Sequence, residues 1–182
     1  MVNQTLLKTS LLSGLSLIAF AANSVLCRLA LGTGSIDPAS FTNIRMMAGA
    51  VVLFIILRFQ ANKNSVTSKG SWFASFALFA YAVTFSYAYV SVDTGTGALI
   101  LFGTVQITMI LLSIISGERL HITEWCGAVI AFTGFVYLII PTVSSPSIYG
   151  FLLMVIAGIS WALYTLSGRS SKNPLMDTTY NF

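Results

Sequence analysis

The chain alternates long apolar stretches with short polar breaks. Apolar runs close to the length that carries a helix across a hydrocarbon core, about 20 residues for about 30 Å, occupy residues 11–31, 41–57, 72–92, 95–116, 125–140 and 149–167. The breaks between them hold turn and helix-stop residues: Gly32-Thr33-Gly34, then Arg58 with Asn62-Lys63-Asn64-Ser65, then Asp93, then Gly117-Glu118-Arg119, then Pro141 with Pro146 beyond it. After Gly168-Arg169-Ser170-Ser171-Lys172-Asn173-Pro174, residues 175–182 read as the opening of a seventh helix. In hydrocarbon a helix satisfies its own backbone donors and acceptors. The pattern therefore predicts an all-α fold, a polytopic transmembrane helix bundle of six spans.

Composition strengthens that reading. Of 182 residues 56% are apolar and 8% charged, against about 45–50% and about 25% in a soluble domain. Nine Lys and Arg with five Asp and Glu cannot clothe a water-facing surface, which excludes soluble enzymes and nucleic-acid readers and makes the lipid bilayer the expected partner. One His and two Cys make a poor metal or redox site, and no cofactor is expected. Cys27 and Cys126 fall near opposite membrane faces, too far apart for a disulfide. The net charge of +4 reads as topology. Lys8, Arg58, Lys63, Lys69, Arg119, Arg169 and Lys172 all lie on one set of alternate loops, whereas the opposite set carries only Asp37 and, at a helix end, Asp93. Basic residues stay on the cytoplasmic side during insertion, so the expected location is the cell (inner) membrane with the N-terminus cytoplasmic. Residues 11–21, between Lys8 and Ala19-Phe20-Ala21, also fit a signal peptide; the apolar run continuing to Leu31 and the five spans after it favour a first span.

Asp93-Thr-Gly-Thr-Gly-Ala-Leu-Ile-Leu-Phe-Gly, then Gly117-Glu118-Arg119-Leu120, then Trp125-Cys126-Gly127 and Gly134, together with Phe41-Thr-Asn-Ile-Arg45, resemble the EamA-type transporters of the drug/metabolite transporter superfamily. The resemblance implies ten helices in two repeats of five, both termini cytoplasmic, with the second repeat inverted. That arrangement gives alternating access about a midplane site. Residues 1–140 then form the first repeat, and residues 141–182 form the sixth helix and the beginning of a seventh. The chain is expected to be a truncated product or fragment, lacking four helices that would close a pore. Many relatives carry a proline midway along the fourth span where this sequence has Val105-Gln106, so the resemblance does not carry a substrate class across.

Polar residues at bilayer depth must find a partner or face a cavity. Near the span centres lie Asn23, Tyr81, Gln106, and Ser160 with Trp161, which form the expected substrate-binding set. Ser13, Ser16, Asn23 and Cys27 share one face of the first span; Thr96, Gly103, Gln106, Ser113 and Gly117 share one face of the fourth. The two stripes are expected to look at each other or at a shared cavity. The plainer alternative is that such residues glue helices together at about 0.6–2 kcal/mol per hydrogen bond. Gly127, Ala131 and Gly134 read as a close-packing ridge on the fifth helix. Arg28 and Arg45 are expected to snorkel outward or pair with Asp37 or Asp93, or else to line an outer vestibule that attracts a carboxylate-bearing metabolite. Glu118 and Arg119, with Gly117, form a cytoplasmic-end signature; His121 and Glu124 are expected in a solvated loop.

No G-x-x-x-x-G-K-[ST] loop is present, so nucleotide-driven pumping lacks its phosphate cradle. A single His cannot supply an intramembrane metalloprotease. The function expected is secondary transport of a small organic solute; the alternative is a non-transporting truncation or an accessory or structural membrane subunit. Substrate, direction, coupling ion and oligomeric state are left open.

Overall fold

A computed structural model describes residues 2–60, 69–117, 121–139 and 147–182. It is an all-α bundle of helices α1 (Val2–Gly32), α2 (Pro38–Gln60), α3 (Trp72–Ala88), α4 (Thr94–Ile115), α5 (Ile122–Ile139), α6 (Ile148–Gly168) and α7 (Pro174–Asn181). Each apolar run carries a helix over most of its described residues. Among the described residues, Leu6–Gly32, Pro38–Gln60, Thr94–Ile115 and Ile148–Gly168 are long and apolar enough to cross a membrane. Trp72–Ala88 is apolar but shorter than its run of 21 residues. It stops early because the amides of Val90 and Ser91 turn back onto the carbonyls of Tyr87 and Ala88. α5 starts at Ile122, earlier than expected, because the Glu124 carboxylate accepts the His121 amide at 2.8 Å. This half of a capping box places Glu124 on the first helical turn instead of in a free loop.

The core sits where α6 packs against α3 and α4. Phe85, Ala88, Tyr89, Met154 and Ala157 are wholly buried there, joined from α1 by Cys27 and Leu31. Ser24, Cys27 and Leu31, at i, i+3 and i+7, are the inward face of α1. The rest of that helix is a column of exposed Leu, Ile and Phe, as lipid contact requires. α6 comes close to α4 because Gly158 has no side chain. A Cβ there would stand 2.7 Å from Cβ of Thr104 and 3.0 Å from the Leu101 carbonyl. The Gly127–Gly134 ridge, by contrast, is exposed, and no atom lies within 4 Å of a Cβ built at either glycine. Close packing falls on α4 and α6 because those two helices flank the core, whereas α5 touches the bundle along α4.

The helix ends sort by charge. Arg58, Lys69, Arg169 and Lys172 lie at one end, where Asp177 and Asn181 of α7 accept the amides of Gly70 and Ser71 at 3.1 and 2.9 Å. At the other end, Ser147 at the start of α6 bonds Ser91 at 3.2 Å, and Arg28 reaches Asp93. α1 therefore runs from the basic end to the Asp93 end, and α6 runs back. Lys63 and Arg119 lie outside the described residues.

Two outcomes follow from this packing. Gly158→Ala wedges α6 away from α4 and costs roughly 1–3 kcal/mol, read as a lower melting temperature in detergent, while Gly127→Ala leaves that temperature unchanged. At the start of α2, Asp37 accepts the Ser40 amide at 2.9 Å, and bonds from the Ser40 hydroxyl and amide hold its carboxyl below the ordinary value of 3.8. A depressed carboxyl pKa contributes stability that is present above the unfolded value and lost as pH falls through the folded one. Exchange of the Ser40 amide should accordingly rise, beyond its intrinsic pH dependence, only below pH about 4. In Asp37→Asn that acid-dependent step disappears.

Candidate functional site

Between α1, α2, α3 and α6 lies a cavity of about 440 Å³. Three of the expected span-centre residues, Asn23, Tyr81 and Trp161, meet on its wall, together with Arg45, expected near the outer end of its span. They do so because each occupies the inward face of a different helix. Trp161 packs on Tyr81 with centroids 4.7 Å apart, and on Phe20 and Tyr164 at 5.8 and 5.5 Å. Tyr81, Phe85 and Tyr89 form an i, i+4, i+8 aromatic column on α3, with centroids 5.1 and 4.7 Å apart. Asn23 accepts a long contact from the Cys27 thiol at 3.8 Å and also meets the Tyr81 side chain. Both cysteines are free, Cys27 buried and Cys126 exposed. The indole of Trp161 also lines a second cavity of about 590 Å³ at the basic end, shared with Ser113, Tyr164, Arg169 and Asp177.

The other expected residues lie elsewhere. Ser160 is buried on α6 and does not line the cavity. Gln106 faces a groove between α4 and α5 of about 460 Å³, beside Trp125 and Glu124. The two polar stripes therefore do not share a chamber. Phe20 stands between them, packed edge-on against Phe102 at 6.3 Å and against Trp161, and it fills the space an α1–α4 cavity would need. Gly117 follows the last turn of α4 with φ +83, the left-handed conformation that favours glycine at a helix C-terminus. Glu118 and Arg119 lie outside the described residues.

The two arginines part company. Arg28 donates to the carbonyls of Tyr89 and Val90 at 2.9 and 3.2 Å and to the Asp93 carboxylate at 3.0 Å. It supplies a donor and a positive charge to the carbonyls at the end of α3. Arg45 bonds across the bundle. Its guanidinium turns inward, bonding the Cys27 sulfur and the Ala82 carbonyl, both at 3.4 Å. The rings of Phe41, Tyr81 and Phe85 surround it at 5.8, 5.8 and 5.4 Å. Neither Asp37 nor Asp93 pairs with it. Met46, Gly49, Leu78 and Phe182 complete the cavity wall and were not singled out from the sequence. The signal that points to the cage is helical spacing: Phe41 to Arg45, and Tyr81 to Phe85, are both i, i+4 pairs.

Residues 7–140 match the model of the EamA-like transporter family. The chain belongs to that family. An uncharacterized protein of Pseudomonas aeruginosa is 44% identical to it over 175 residues, which cover 96% of this chain and 61% of that protein. An uncharacterized transporter of Archaeoglobus fulgidus is 26% identical over 169 residues, 88% of this chain and 57% of that one. The EamA chain described here thus spans about three fifths of the length of these relatives. No solved structure matches it.

Half of the Asp93 side chain is open to solvent, at 49% exposure, so the ion pair contributes at most about 1 kcal/mol. Removing Arg28 also strips the donor from two carbonyls, at about 0.5–1.5 kcal/mol each. Thermal unfolding should therefore separate a mild Asp93→Asn from a clearly destabilised Arg28→Gln.

Proposed function

We propose that this chain is part of a secondary transporter that moves a small organic solute by alternating access about the cavity formed by Asn23, Arg45, Tyr81 and Trp161. The observation that carries the reading is the cavity itself: polar and aromatic side chains from four helices, in a bundle otherwise coated with apolar residues, open onto one space. A cavity of this size falls in the range of small-molecule sites, about 300–1,000 Å³. Membership of the EamA-like family supports transport as its use. Residues 1–140 are read as a five-helix repeat and residues 141–182 as the opening of an inverted second one. The antiparallel course of α1 and α6 is what an odd-numbered repeat demands. The basic end is read as cytoplasmic and the membrane as the inner one.

In alternating access, the cavity is shut from one side while it opens to the other. The Trp161 indole, shared by the two cavities, is placed to form that partition, and its movement would join them. The test is solute flux in proteoliposomes, comparing this chain, a chain extended to the length of its relatives, and the extended chain carrying Trp161→Ala. The extended chain should transport, and Trp161→Ala should lower the rate at least tenfold without loss of folded protein. An unchanged rate in that variant rejects the cavity. If neither form moves any solute, the protein is a non-transporting membrane subunit.

A further inference from the structure

We infer that Arg45 is an anion subsite, and that the solute of this cavity is an organic anion with a flat apolar body. The inference rests on the reading of the cavity as a solute site and adds the chemical class of its occupant. Arg45 lies seven residues into α2, about 10 Å along the axis at 1.5 Å per residue. Its guanidinium is directed across the bundle, toward Cys27 of α1 and Ala82 of α3. A guanidinium carries five N–H donors. Two are engaged, each by a long bond to a neutral acceptor. Among the described residues no carboxylate side chain pairs with it, and no side chain lining the cavity other than that of Arg45 is charged.

A cation at depth is expensive unless something compensates it. Here the faces of Phe41, Tyr81 and Phe85 compensate in part through their negative quadrupoles. They also fix the plane of the guanidinium. What the rings leave unsatisfied is the edge of the group, where N–H donors meet a carboxylate in a bidentate fork. The same rings argue against a cationic solute, since their faces are already turned to Arg45 and its charge would repel a second one. Opposite the guanidinium, Trp161 and Phe20 offer ring surface for a planar apolar body, and Asn23 adds an amide for a further polar group. A purely structural Arg45, bridging α1, α2 and α3, would need no charge preference in the cavity.

The charge preference is therefore the measurement. The chain, reconstituted in nanodiscs of zwitterionic lipid, is titrated with radiolabelled 3-phenylpropanoate, 3-phenylpropanol and 3-phenylpropylammonium, which differ only in the end group. The carboxylate should bind at least tenfold more tightly than the alcohol, and the ammonium more weakly than either. Arg45→Gln should bring carboxylate and alcohol to the same affinity, and Arg45→Lys should keep part of the difference; if the glutamine variant does not fold, the lysine variant alone must show the intermediate value. Trp161→Ala should weaken carboxylate and alcohol alike. Equal binding of all three probes that still weakens in Trp161→Ala overturns the anion subsite and leaves the solute cavity standing. Binding that Trp161→Ala does not alter rejects the cavity and the subsite together. So does the absence of binding by any probe. A carboxylate preference that survives Arg45→Gln assigns the anion to another group and overturns the inference.

Discussion

Inside a bilayer there is no water to finish a hydrogen bond, and each polar group must be answered by the chain. The helices meet this demand with local bonds. The hydroxyls of Thr42, Thr84, Ser86 and Thr165 each donate to the carbonyl four residues earlier, at 2.7 to 2.8 Å. Polar groups treated this way can sit at any depth without a neighbour. Among the side chains not silenced this way, the amide of Asn23, the guanidinium of Arg45 and the ring and hydroxyl of Tyr81 line one cavity, whereas the amide of Gln106 lies in the groove between α4 and α5. The constraint that shapes the bundle thus draws part of its polar inventory to one cavity.

The same constraint explains the division of labour among helices. α6 is the axis of the structure, with glycine where it approaches α4 and methionine and alanine where it faces the core. α1 and α5 lie at the margin and keep their large apolar side chains outward. Among the described residues most charge lies toward the helix ends, and Arg45 is set into the bundle beside the core. Its position is tolerated because aromatic faces replace some of the water it has lost.

Much of this architecture is written in the pattern of apolar runs, because length and hydropathy alone decide what can cross lipid. The six helices and the separation of basic from acidic ends are legible there, as is the set of polar residues at depth. What is not legible is which faces meet. Gly127, Ala131 and Gly134 have the spacing of a packing ridge, and Gly158 with Ala162 has the same i, i+4 spacing, yet only the second pair is packed. Glycine spacing reports that an approach is permitted and not that a neighbour is there. Gln106 has the depth of a site residue but sits on the far side of Phe20 from Asn23, a separation set by tertiary packing. For Arg45 the i, i+4 spacing from Phe41 signals one wall of its cage, but the other rings come from α3 and their meeting with it is set by tertiary packing.

One contact ties together parts of the chain that are made at very different times. The amides of Gly70 and Ser71, at the start of α3, are answered by Asp177 and Asn181, 107 and 110 residues downstream. The two residues that lead into α3 therefore meet these partners only after α7 has been made. The lip of α3 stays without these partners while three more helices are laid down, and it gains them only when α7 folds across it. Assembly of that end is therefore a late event, coupled to the arrival of a short amphipathic segment and not to the insertion of α3 itself.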